Sequence, residues 1–211
     1  MTAEKSVLAA DVGGTFTDLV GWDGTRVVSG KVPSTTDDQS AGVVTGAEQL
    51  GTPATRFLHG TTVATNALLE RRGADTALIT SPGFADVIEI GRQDRPSLYD
   101  SFADRPEALV ERRRRYETDV PDALDESLGD VAAVAISLLY GYENGDQEQA
   151  IADALLDRWP HLAVSLSSEV APEFREFERT STTLLNAYLA PETGSYLRRL
   201  VTRAAAAGLP K

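Results

Sequence analysis

The chain contains no cysteine, which excludes disulfides, thiolate metal sites and cysteine nucleophiles together. Histidine is nearly as scarce: only His59 and His161 offer an imidazole, too few for a multi-histidine zinc site. Lysine is limited to Lys5, Lys31 and Lys211, and 32 acidic residues against 20 basic ones give a formal net charge of −12. Such a surface repels a phosphate backbone on average, which argues against a nucleic-acid partner. A smaller anion must be met by local amide dipoles, a metal ion and a few arginines. No apolar run approaches the roughly 20 residues a membrane helix needs, and Met1-Thr2-Ala3-Glu4-Lys5 lacks a signal-peptide pattern. The expectation is a cytoplasmic protein with no membrane partner. What is present, 42% hydrophobic and 25% charged residues over 211 positions, is an ordinary globular composition able to bury a sizeable core.

The most informative stretch is Asp11-Val-Gly-Gly-Thr-Phe-Thr-Asp18. It sits between the apolar runs Val7–Ala10 and Leu19–Trp22, so the pattern reads as strand, glycine turn, strand. Gly13 and Gly14 are free to take backbone angles closed to other residues. Without side chains there, consecutive amides can approach an anion, and Thr15 and Thr17 add hydroxyl donors. Asp11, at the end of the first strand, places a carboxylate where it can hold Mg²⁺ while the amides hold phosphate. No Lys-Ser/Thr follows the glycines, so this is no Walker A loop; the spacing and the following strand also exclude the dinucleotide fingerprint. The plain alternative is a β-hairpin with a solvated aspartate.

Further along, Val7–Ala10, Leu19–Trp22 and Val27–Val32 form an antiparallel meander, and Pro33-Ser34-Thr35-Thr36-Asp37 starts a helix that Gly51 stops. Arg56–His59 is a short strand. Thr61 or Thr62 caps a helix running to Arg72. Thr76–Thr80 is a strand and Phe84–Gly91 a short helix. From Arg92 to Asp130 the periodicity is poor, a long excursion that is partly helical between Pro106 and Arg115; Arg112–Arg115 there reads as a solvated, self-neutralising helix face. Val131–Leu139 is a central strand, Asp146–Trp159 an amphipathic helix, Ala163–Leu166 a strand, and Phe174–Ala190 and Ser195–Ala207 two helices separated at Pro191. Strands alternating with helices after a meander give an α/β fold with a mixed sheet.

Four blocks in order, Asp11–Asp18, His59–Glu70, Gly91-Arg92 with Leu98-Tyr99-Asp100, and Glu178-Arg179 with Asn186-Ala187-Tyr188, resemble the hydantoinase A/5-oxoprolinase family of the actin-like ATPase superfamily. The resemblance spans nearly the whole chain. It implies a ribonuclease H-like mixed sheet flanked by helices, with residues 1–211 forming the family's N-terminal domain and 92–130 an insert or excursion. That superfamily holds ATP between two halves, each with a phosphate turn. No second Asp-x-Gly-Gly-Thr occurs here, so the second half is expected in a missing C-terminal domain or a hydantoinase B-type subunit; a homo-oligomer is also compatible.

The resemblance further implies ATP and Mg²⁺ as cofactors and a small cyclic amide, a hydantoin or 5-oxoproline, as substrate; ketone carboxylases share the framework. Asp11 would hold metal, Gly13, Gly14, Thr15 and Thr17 would cradle phosphate, and His59, Asn66, Thr61, Thr62 and Arg92 would face the activated carbonyl. Each has a plainer reading: a helix cap for Thr61 or Thr62, a packed imidazole for His59, an exposed amide for Asn66 and surface ion pairing for Arg92 and Arg95. The chain departs from the family pattern at Gly141 and Gln147, which replace a serine and a histidine.

Overall fold

The computed structural model describes residues 6–35 and 38–210. Part of the expected helix start, Thr36 and Asp37, lies outside the described residues. The chain divides into two compact units, Met1–Arg72 with Glu192–Lys211, and Gly73–Pro191.

In the first unit, strands β1 (Val7–Val12), β2 (Phe16–Trp22) and β3 (Val27–Pro33) form the expected meander. Helix α1 (Gln39–Leu50) follows, its first turn capped by the Asp38 carboxylate, which accepts from the Ser40 amide, and its end closed by Gly51 in the left-handed region. Strand β4 (Arg56–Thr61) and helix α2 (Val63–Leu69) complete this stretch. The sheet order is β3-β2-β1-β4, with β4 parallel to β1. This is the mixed sheet, and alternation decides its faces. Leu8, Ala10, Val12, Leu19 and Val32 point to a core shared with Val43, Ala47, Tyr196 and Leu200. The opposite face is exposed, with Phe16, Val20, Trp22 and Leu58 each 40–46% accessible.

The second unit carries β5 (Thr76–Thr80), α3 (Val87–Ile90), β6 (Arg115–Glu117), β7 (Ala133–Ser137), α4 (Asp146–Arg158), β8 (Ala163–Leu166) and α5 (Ser167–Val170). Its sheet, β6-β5-β7-β8, is parallel throughout. Both faces of β5 and β7 are buried, as parallel strands require: Ala77, Ile79, Val134 and Ile136 pack with Ile151 and Leu155 of α4, and Leu78, Ala133 and Ala135 pack with Leu184 and Ala187.

The last helix, α6 (Glu176–Ala206), runs unbroken through Pro191, which corrects the expected break there. A proline removes one backbone donor from a long ladder, and 31 residues of helix supply enough other bonds to continue past it. The Pro106–Arg115 stretch holds only a three-residue 3-10 turn, Arg112–Arg114, in place of a helix. Its arginines are self-neutralising as expected, pairing with Asp86, Glu111 and Asp75. Arg115 instead is buried, donating to the Val110 carbonyl and to Glu89.

Candidate functional site

Between β1 and β2 the Gly13 amide donates to the Phe16 carbonyl (3.0 Å), closing the glycine turn. Neither Gly13 nor Gly14 has a positive φ, so backbone freedom is not why glycine stands there. Space is the reason. A Cβ on Gly13 would lie 3.1 Å from the Phe16 carbonyl oxygen, and one on Gly14 would lie 3.2 Å from Asn66 Nδ2. The turn is braced from β3: Ser34 Oγ donates to the Gly13 carbonyl (2.9 Å) and the Ser34 amide to the Thr15 carbonyl (2.9 Å). Thr17 is fully buried, and its hydroxyl lies 3.1 Å from Ser34 Oγ. With the Ser34 proton committed to Gly13, Thr17 donates to Ser34, so this threonine supports the turn from behind. Gly14 and Thr15 are exposed at its tip.

Asp11 is in register with Asp18 on β2 and with Gly60 on β4, and all three lie on the exposed face. A Cβ on Gly60 would be 3.1 Å from Asp11 Oδ1, so the Asp11 carboxylate leans over Gly60. Asp18 turns the other way, 3.0 Å from Lys31 Nζ. Asp11, Asp18, Val20, Leu58 and Gly60 line a cavity of about 320 Å³.

The β4–α2 junction is tied to the same turn. The Thr62 amide donates to the Val12 carbonyl (3.1 Å), and Asn66 Nδ2 to Thr62 Oγ1 (3.4 Å). Thr62 is the N-cap residue of α2 but makes no side-chain cap bond; Thr61 Oγ1, one residue earlier, accepts from the Val63 amide (3.1 Å). The helix stops at Leu69 rather than Arg72, with Arg71 at φ 55°.

His59 is placed apart from Asp11. In register with Ala10, it shares the core side of the sheet, where its Nε2 and the Tyr196 hydroxyl share a hydrogen bond (2.8 Å). Its Nδ1 is buried without a hydrogen bond of good geometry. Burial holds the imidazole below its ordinary pKa, against weaker opposing pulls from the Ala10 backbone and Asp11; burial also pushes the Tyr196 phenol up to about 12. The two-residue spacing of Phe57 and His59 is the sequence signal for this inward face.

Arg92 belongs to the second unit. Its Nε and Nη2 donate to Glu178 Oε1 (2.8 and 2.7 Å), and this guanidinium holds the Glu178 carboxyl below its ordinary range. Arg92, Arg95, Arg105 and Phe177 line a cavity of about 640 Å³. Arg105 is fixed there by the carbonyls of Glu89, Ile90 and Asp94. The neighbouring Arg179 serves the unit's interior, fully buried on Ser167 and the Leu138 carbonyl, whereas Asn186 is exposed and donates to Ser165. Gly141 is required because a Cβ there would overlap the carboxylate of buried Glu148, which accepts from the amides of Leu138 and Ser168.

Among the described residues no three acidic, histidine or cysteine side chains cluster as a metal site, and no helix is long and apolar enough to cross a membrane. Asp11, an exposed hard-oxygen donor beside the glycine turn, is nonetheless of the chemical type that Mg²⁺ takes, one or two carboxylates with the rest of its shell from water and phosphate. Sequence reasoning assigned no role to Lys31 and read Ser34 only as part of a helix start; the strand ending at Pro33 was the signal that both belong beside the turn.

The family model for the hydantoinase/oxoprolinase N-terminal region matches residues 7–158. An uncharacterised protein of Methanocaldococcus jannaschii is 36% identical over 90% of this chain and 32% of its own length. Caprolactamase subunit alpha of Pseudomonas jessenii is 33% identical over 95% of this chain and 33% of its own. The acetophenone carboxylase gamma subunit of Aromatoleum aromaticum is 32% identical, with coverages of 85% and 30%. Among solved structures, ATP-dependent caprolactamase from Pseudomonas jessenii matches with a TM-score of 0.79 at 30% identity, covering 97% of this chain and 34% of that one. Nucleotide-free acetone carboxylase matches with 0.81 at 24%, with coverages of 96% and 34%. The chain thus spans about a third of the length of these relatives, and the fold agrees with the α/β, ribonuclease H-like class that the sequence resemblance implied. On the extent of the family match, the chain belongs to the hydantoinase/oxoprolinase family.

Proposed function

We propose that this chain is the nucleotide-binding part of an ATP-dependent hydrolase of cyclic amides, of hydantoin or 5-oxoproline type. The observation that carries the reading is the Gly13–Thr15 turn, braced from β3 and α2, with Asp11 on the exposed face beside it. Gly14 and Thr15, exposed at the tip, receive the phosphates, while Gly13 closes the turn with its own amide on Phe16 and Thr17 stiffens it through Ser34. Asp11 would hold Mg²⁺, which when bound would neutralise charge on the polyphosphate. Thr62 and Asn66 keep the β4–α2 junction against the turn. Arg92 and its cavity take the substrate.

A ring amide resists water because resonance stabilises its carbonyl. Transfer of the γ-phosphoryl group of ATP to the amide oxygen, with ADP leaving, breaks that resonance; water then adds to the carbon, the ring C–N bond breaks with the amine leaving, and a second water releases inorganic phosphate, while the turn amides stabilise the charge spread over the transferring group. His59, neutral and on the core side, is placed to set β4 against α6 through Tyr196, so its part in catalysis is indirect. The rest of the relatives' length, or a hydantoinase B-type subunit, supplies the second half of the ATP cleft.

The 32% identity to the acetophenone carboxylase gamma subunit favours a second reading, phosphorylation of a ketone enolate in a carboxylase. ATP hydrolysis by this chain, supplied with the remaining domain and partner subunit, separates them. Stimulation by a cyclic amide is expected. Stimulation only by a ketone with bicarbonate selects the carboxylase, and nucleotide binding without stimulation by either marks a non-catalytic nucleotide module.

A further inference from the structure

Lys31 is the one lysine among the described residues. Strand β3 carries it in register with Asp18, which is in register with Asp11. The three side chains therefore form one row across the exposed face, strands about 5 Å apart. The ammonium lies 3.0 Å from Asp18 Oδ1 and 5.1 Å from the centre of the Phe16 ring, and Phe16 supplies the carbonyl that closes the turn. Three residues on, Ser34 bonds the Gly13 and Thr15 carbonyls, which fixes the end of β3, and hence the root of Lys31, to the turn itself.

In a chain of net charge −12, a cation anchored beside an anion-shaped turn is a scarce resource. Its present partner is weakly held: the Lys31 and Asp18 side chains are 56% and 54% exposed, and exposed ion pairs contribute little to folding. We propose that Lys31 meets the polyphosphate of the nucleotide. Asp18 parks the ammonium beside the turn in the free chain, and a phosphate oxygen, richer in charge, replaces that carboxylate on binding. The inference rests on the reading of the turn as a nucleotide site.

Calorimetric titration of MgATP into the 211-residue chain and its Lys31→Met, Lys31→Arg, Asp18→Asn and Asp11→Ala variants tests it, with unchanged thermal melts showing that the variants are folded. Lys31→Met is expected to bind about tenfold or more weakly, as loss of a charge-assisted bond implies. Lys31→Arg should recover most of that loss, and Asp18→Asn should bind at least as tightly as the parent. Binding unchanged in Lys31→Met, or weakened as much in Asp18→Asn, overturns the proposal; the second result would make Asp18 the ligand and Lys31 its counter-ion. Binding that needs Asp11 but not Lys31 removes this inference alone. No binding by the folded parent chain, and none when the remaining domain is supplied, removes the nucleotide reading with it.

Discussion

His59 and Tyr196 share a hydrogen bond on the core side of the sheet. In the folded chain burial keeps the His59 pKa below its ordinary 6.5, so as pH falls the unfolded chain takes up a proton first. The sign follows: the stability tied to this group is complete above about pH 6.5 and is lost as pH drops toward the folded value. Thermal melts should therefore fall between pH 7.5 and 5.5, and should fall less in His59→Gln, whose amide keeps an acceptor for Tyr196 without titrating. Equal slopes in the two proteins would contradict the assignment. The same residue shows what one dimension conceals. His59 and Asp11 were both legible as candidates, but only the register of β4 on β1, which pairs His59 with Ala10 and Gly60 with Asp11, puts them on opposite faces. A shift of one residue would have reversed this.

Among the elements, α1 packs on β2 with Gly46 against the Leu19 side chain. A Cβ on Gly46 would overlap the Leu19 side chain, and Leu19 is 1% exposed with nowhere to move. Gly46→Ala gains up to about 1 kcal/mol of helix propensity and loses roughly 1–3 kcal/mol to overpacking. Chemical denaturation should show net destabilisation, whereas a more stable variant would mean that the helix shifts to make room. The elements themselves were largely legible where periodicity was strong: the meander, β5, β7, α4 and β8 fall where alternation and apolar runs placed them. Two features were not. The partition of strands between a mixed sheet and a parallel one depends on which edges meet, and periodicity carries no such information. Between Arg92 and Asp130, 3-10 turns and the short strand β6 are held by side chains such as Arg115 on Val110 and Glu89, contacts without any repeat in sequence.

For the whole molecule, the formal charge of −12 bears directly on how it handles an anion. A general basic surface is absent, so affinity for nucleotide must come from one locality: the turn amides, Asp11 with its metal, and Lys31. Raising salt should then weaken MgATP binding only modestly, far less than for proteins that bind polyanions through many cations. The most direct test of the account is calorimetric titration of MgATP into this chain and into Asp11→Ala. Saturable binding by the parent, lost in the variant while its thermal melt stays unchanged, is the predicted result. Binding of equal strength in both would contradict it, because the nucleotide would then be held somewhere other than the turn beside Asp11.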